Sequence, residues 1–224
     1  VNIIMKKFYI NLDSAVQRRN KFIDTDFKRW RAIPREEVPS FIDNRMISMP
    51  NYPKESHLAR CGCFYSHIKL LEFIVNHRLD NTLIVEDDAI QIHPLPNNYP
   101  DDGIIYVGGF IYNKKMMNDT PPIIEKRLGI NLCPDEFRIL GTVSYIIPRW
   151  QLAFDILNKI YSQKRYKAID IMYGNIGAKQ YFNYPGSFRE EGDISQITPN
   201  KTKIQTEDYE FISMKKYNAK SKSI

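Results

Sequence analysis

TLIVEDDAI, residues 82–90, runs four strand-forming residues directly into three acids. Leu83, Ile84 and Val85 do not alternate with polar residues, which is the pattern of a strand covered on both faces, and such strands belong to parallel sheets flanked by helices. Upstream, CGCFYSHIKLLEFI places Cys63, Phe64, His67, Leu70, Leu71, Ile74 and Val75 at three- and four-residue intervals, so a helix is predicted from about Ala59 to His77, stopped by Asp80-Asn81. KFYINL (7–12) predicts a first strand. Ser14 and Gln17 then make a capping box for a helix that turns Val16, Phe22 and Ile23 inward. Four prolines between Pro34 and Pro53 predict an irregular connection with short helical turns.

Downstream, GIIYVGGF (103–110), ILGTVSYIIP (139–148) and QYFNYPG (180–186) predict further strands. Tyr112–Phe137, with Pro121-Pro122 and Pro134, reads as a long loop. A helix after Pro148 sets Trp150, Ala153, Phe154, Leu157, Ile160 and Tyr161 on one face, and AIDIMYGNIG reads as an acid-centred helical turn. Alternating strands and helices predict an α/β fold, one Rossmann-like domain with a mostly parallel central sheet flanked by helices.

Composition agrees with one domain. The 224 residues are 43% apolar and 26% charged, enough to bury a core without disulfides or a structural metal. We expect a domain over 1–212 and a loose basic tail over 213–224. Three cysteines favour a reducing compartment, and the Cys61-Gly62-Cys63 spacing fits no common zinc site. No apolar run approaches a membrane span and the opening residues lack signal-peptide order, so a cytoplasmic protein is expected.

The net charge of +6 invites a nucleic-acid reading until it is partitioned. Residues 1–35 hold nine Lys/Arg against three Asp, and the tail holds four Lys and no acid, so the body between them is net acidic. An RNA- or polyanion-binding module is the alternative such a front edge suggests. The acidic body offers no continuous basic groove, and no nucleic-acid partner is expected. The tail suits solubility or weak peripheral contact with an acidic surface.

Glu86-Asp87-Asp88 carry the chemistry. Acids at the carboxyl end of a parallel strand lie where open α/β sheets bind ligands. Strand alternation sends Glu86 and Asp88 to one face and Asp87 to the other. Converging carboxylates repel unless a cation joins them, and oxygen donors suit a hard divalent ion. A solvated acidic turn is the plainer reading.

Several blocks, taken in order over about residues 5–195, resemble glycosyltransferase family 25, which includes lipooligosaccharide and collagen galactosyltransferases. FYINLDSAVQRRNKF, WRAIP, CGCFYSHIKLLEFI (with Gly62, Cys63, Ser66 and His67), TLIVEDDAI, YVGGF, LGTVSYIIPRW and KAIDIMYG carry the resemblance. It implies a GT-A fold that holds Mn²⁺ or Mg²⁺ against a nucleotide diphosphate sugar, most readily a UDP-sugar, and moves a hexose to a glycan or glycoconjugate hydroxyl. Carried over by position, Asp88 and Glu86 are the metal ligands. Asn11 and Leu12 border the nucleoside, Arg18 or Arg19 meets nucleotide or phosphate, and Asp87, Gly141 and Thr142 belong to the donor site. A solvated helix face is the other reading of both arginines.

His67 fits a hydrogen-bonded core position as well as a site, and Gly108-Gly109 and Gly141-Thr142 fit either a close ligand approach or a bulge. An inverting transfer needs a carboxylate base, for which Asp170 is the candidate; it reads equally as a helix cap, with Glu190, Glu191 and Asp193 as alternative bases. All four histidines, at 57, 67, 77 and 93, precede the chain's midpoint, so a late histidine ligand for the metal is missing. A metal-dependent phosphoryl hydrolase is the remaining alternative, and it calls for a second His/Asp cluster that the sequence does not present.

Overall fold

The computed structural model describes residues 4–48, 53–113, 127–135 and 137–190. Glu191, Asp193, the basic tail and the middle of the 112–137 stretch lie outside them. Nine strands and five α-helices are described. In chain order they are β1 (Lys6–Asn11), α1 (Val16–Asn20), β2 (Lys28–Arg31), a 3₁₀ turn (Arg35–Glu37), α2 (Ser40–Arg45), α3 (Lys54–Asn76), β3 (Thr82–Glu86), β4 (Ala89–Gln91), β5 (Ile104–Asn113), β6 (Gly129–Leu132), β7 (Phe137–Ile147), α4 (Trp150–Tyr161), α5 (Ile169–Asn175), β8 (Gln180–Tyr184) and β9 (Phe188–Glu190).

Seven strands form the central sheet in the order β2-β1-β3-β7-β5-β8-β6. β2, β1, β3, β5 and β8 run one way, and β7 and β6 run against them. The sheet is therefore mostly parallel, within a mixed α/β fold. Alternate residues of each strand feed two cores. Phe8, Ile10 and Ile84 join α3, α4 and α5 on one face, while Tyr9, Leu83 and Val85 pack with Phe22, Ile105, Val143 and Ile146 on the other. Tyr9 stacks on Phe22 with ring centroids 4.1 Å apart, a contact worth about 0.5–1.5 kcal/mol beyond its buried area.

Some local expectations are corrected. The capping box at Ser14 does not form: the residue preceding α1 is Ala15, with no side-chain cap. α1 is five residues long and leaves Val16 and Ile23 exposed, so Phe22 alone of the predicted trio is buried. Phe154 and Tyr161 on α4 are likewise exposed, and the buried stripe is Ala153, Ile156, Leu157 and Ile160. Within the span read as a loop, Gly129–Leu132 pairs with β8 as an edge strand. β4 and β9 form a separate two-stranded ribbon beyond the acidic turn.

The short helical elements expected after Pro34 are present as the 3₁₀ turn and α2. α3 lies very close to the chain that leaves β2. A Cβ on Gly62 would sit 2.5 Å from the Ile33 carbonyl oxygen, so only glycine permits this approach. Ser66, one turn on, accepts a hydrogen bond from Ile33 N–H at 2.8 Å. Together they fix residues 32–34 as a wall beside the carboxyl ends of β1 and β3.

Candidate functional site

That wall closes a cleft of about 500 Å³. Ile10, Leu12 and Arg18 contribute from β1 and α1, Ala32, Ile33 and Pro34 from the wall, Cys63, Ser66 and His67 from α3, and Glu86, Asp87 and Asp88 from the end of β3. Parallel β1 and β3 are neighbours, with Ile10 opposite Glu86, so the first strand's exit and the acidic motif meet by topology. This is the carboxyl-end crevice where α/β sheets bind ligands.

The three acids have different surroundings. Glu86 accepts a hydrogen bond from Thr142 Oγ1, and His67 Nε2 stands 3.6 Å from its Oε1. Asp87 accepts bonds from Asn11 Nδ2 and from Arg18, both at 2.8 Å. Asp88 also faces Arg18, at 3.5 Å. The strand ends at Glu86, so the alternation expected for Asp87 and Asp88 stops there, and both share one guanidinium. Asp87, Asp88 and Arg18 have side chains only 8–12% exposed, so their charges act in a medium that screens them poorly.

His67 is both a core residue and a cleft residue. It lies on α3 with 1% exposure, its Nδ1 is 2.8 Å from the Tyr145 hydroxyl, and Tyr145 in turn meets Tyr173 at 3.1 Å. This buried chain of polar groups orients the imidazole toward Glu86. Cys63, His67 and Glu86 each present a ligand atom within 4.8 Å of the others. Burial pushes the Cys63 thiol well up, and the charges of Glu86, Asp170 and Asp88 push it further. The same interactions place Asp170 in the neighbourhood of the acidic motif.

Asp170 is the second residue of α5, not its cap, which is Ala168. Its carboxylate accepts bonds from Gly141 N–H at 2.9 Å and Ile171 N–H at 2.7 Å. Burial raises its pKa, those two N–H groups partly oppose the rise, and Glu86 adds to it. Gly141, at φ +80°, adopts a backbone conformation that suits glycine while presenting its N–H to Asp170.

Other site expectations separate by position. Leu12 and Arg18 line the cleft. Asn11 is 1% exposed and lies behind it, with its amide engaged by Asp87, Arg29 and the Ala15 carbonyl. Arg19 turns back to the Asp13 carbonyl. Gly141, Thr142 and Asp170 stand behind Glu86 and are not among the residues lining the cleft. Glu190 lines the cleft. Sequence reading missed Ala32, Ile33, Pro34, Ser56 and Ala59 as cleft residues; the signal for the first three was a glycine on a helix beside a proline-ended segment.

Residues 4–101 match the model of glycosyltransferase family 25, described as LPS biosynthesis protein. Over these residues the chain is similar to that family. The matched segment contains β1, the 32–34 wall, α3 and the acidic motif, which are the parts that build the cleft. No curated protein matches the chain. Among solved structures, the nucleoside-diphosphate-sugar pyrophosphorylase from Vibrio cholerae RC9 aligns over 86% of this chain and 77% of that one, with 12% identity and a TM-score of 0.33. That likeness is too slight to carry an argument. Among the described residues, no helix is long and apolar enough to cross a membrane.

Proposed function

We propose that the chain is a metal-dependent, inverting hexosyltransferase that uses a nucleotide diphosphate sugar, a UDP-sugar first, and a hydroxyl of a glycan or glycoconjugate. The observation that supports this reading is the cleft's charge: Glu86, Asp87 and Asp88 line it together with Glu36, Glu55 and Glu190, against two arginines, Arg18 and Arg35, and Asp87 and Asp88 share Arg18. Six carboxylates against two guanidinium groups leave surplus negative charge in a pocket that, on this reading, takes an anionic donor. Hard oxygen donors and uncompensated charge fit Mn²⁺ or Mg²⁺.

Glu86 and Asp88 are the proposed ligands, and the ion would offset charge on the departing diphosphate. Leu12 and the 32–34 wall give the nucleoside an apolar seat, and Arg18 is placed to meet phosphate oxygens through its planar fork. In the transfer, the acceptor oxygen attacks the anomeric carbon from the face opposite the diphosphate. The bond from that carbon to the diphosphate oxygen breaks with its electron pair, and the hydroxyl proton passes by way of a water to the Asp170 carboxylate behind the cleft lining. A base whose pKa is raised by burial is better matched to this task than an ordinary aspartate. We assign residues 1–212 to this catalytic domain and 213–224 to a basic tail.

Nucleotide release across UDP-, GDP- and dTDP-sugars, with Mn²⁺ and then with a chelator, tests the reading. Turnover with one donor class, lost on chelation and in Asp88→Ala with an unchanged circular dichroism spectrum, is expected. No release from any donor, together with no thermal shift by any nucleotide, overturns it.

A further inference from the structure

Three ligand-type side chains also converge on the opposite face of α3 from the cleft. Asp43 comes from α2, and His57 and Cys61, four residues apart, share one face of α3. His57 Nε2 lies 2.9 Å from Asp43 Oδ1 and 3.7 Å from Cys61 Sγ, and the three ligand atoms lie within 4.8 Å of one another. Zinc bonds of about 2.0–2.1 Å to nitrogen and about 2.3 Å to sulfur place those two atoms ~3.6 Å apart at a tetrahedral angle.

The two contacts at Nε2 compete. A neutral imidazole has at Nε2 either a proton, to donate to Asp43, or a lone pair, to accept from the Cys61 thiol, and it cannot serve both. Cys61 is fully buried and His57 nearly so, whereas the Asp43 side chain is 41% exposed and gives an ion a way in.

We propose that Asp43, His57 and Cys61 form a zinc site, with water in the fourth position. Thiolate, imidazole and carboxylate together select a borderline metal, in contrast to the oxygen donors at the acidic motif. On binding, the Cys61 S–H bond is replaced by a sulfur–zinc bond and its proton leaves to solvent. Nε2 supplies its lone pair, and the imidazole proton resides on Nδ1. The site staples α2 to α3 across residues 46–53. Through the Met46–Tyr166 bridge it also ties in the segment before α5.

Anaerobic titration of the full chain with Co²⁺ tests the site. Expected are a thiolate-to-cobalt charge-transfer band and four-coordinate d–d bands that saturate at one equivalent and are displaced by Zn²⁺. These bands persist in Cys63→Ser and vanish in Cys61→Ser. Asp43→Asn, which changes an exposed ligand and leaves the core intact, weakens Co²⁺ binding at least ~10-fold. The proposal is overturned by the absence of a thiolate band at millimolar Co²⁺, by a band lost with Cys63 instead of Cys61, or by unchanged affinity in Asp43→Asn. None of these readouts depends on sugar transfer.

Discussion

Ser66→Ala probes how the cleft wall is held. Ser66 is fully buried, its hydroxyl donates to the Gly62 carbonyl at 2.7 Å, and it accepts from Ile33 N–H at 2.8 Å. The Gly62 carbonyl keeps its helical partner four residues on, so that loss is cheap. Ile33 N–H loses the acceptor that fixes it against α3, at a cost of about 1–3 kcal/mol. Alanine's better helix propensity returns up to ~0.5 kcal/mol. The net is about 1–2 kcal/mol, which for a domain of this size lowers Tm by about 2–8 °C. Because Ile33 and Pro34 line the cleft while the acids lie across it, the same change raises the donor KM ~3–10-fold and leaves kcat within about twofold. Thermal unfolding by circular dichroism and steady-state nucleotide release read both effects. A Tm within 1 °C of the parent together with an unchanged KM would refute the account of the wall.

Three further outcomes follow from the same geometry. Gly62→Ala forces a Cβ to within 2.5 Å of a backbone oxygen; it lowers stability by about 1–3 kcal/mol in urea unfolding, and combined with Ser66→Ala it costs less than the sum because both act on one wall. Asp170→Asn lowers kcat by ~10²–10⁴ and removes the acid limb of the pH profile of kcat/KM, which in the parent lies above the ordinary aspartate value of 3.8; an unmoved limb rejects Asp170 as the base. Because the folded state raises this pKa, Asp170's contribution to stability is present below 3.8 and is lost as pH rises through the folded value, so Asp170→Asn loses stability relative to the parent at low pH and the gap narrows as pH rises. Tyr145→Phe strips a fully buried hydroxyl from both His67 and Tyr173; denaturant unfolding is expected to show a loss of about 1–3 kcal/mol.

What was legible in the sequence follows from which residues carry a local signal. β3 was readable because Leu83–Val85 are buried on both faces and carry no alternation to confuse. β2 was not, because KRWR is mostly charged; it is an edge strand that pairs only with β1, so its side chains can stay in water. GINL of β6 is the other edge strand, and four residues that include a glycine and an asparagine carry no strand pattern. The acidic motif announced a site, but the partners of its members lie 76 and 69 residues away, at Asn11 and Arg18. No period encodes such a contact. Asn11 shows the cost: its place at the end of β1 was right, yet a buried amide turned toward Asp87 positions a carboxylate and does not touch the cleft. The Asp43, His57 and Cys61 cluster was hidden because the cysteine spacing drew attention to Cys63, whereas the useful partners are one helical turn back and on another helix.

Partner choice also changes the meaning of the basic front edge. Read as a string, nine cations in 35 residues suggest a surface awaiting a polyanion. In the fold, Arg29 and Arg31 hold Asp13, whose pKa falls to about 2 because of their guanidinium groups. Arg31 also pairs with Glu37, Arg35 with Glu36 and Glu55, and Lys7 with Asp26. These ion pairs lie at the surface, where each adds little stability, yet they cancel much of the field a nucleic acid would follow. Arg18 and Arg35 are the cations of this edge that line the cleft; Arg35 is engaged by Glu36 and Glu55, and Arg18 meets Asp87 and Asp88. An anionic donor arriving alone is thus met by a net negative wall. In the proposed reaction its charge becomes an asset only when a divalent ion arrives with it, and that reading rests on the acids at 86–88 and not on the basic pI.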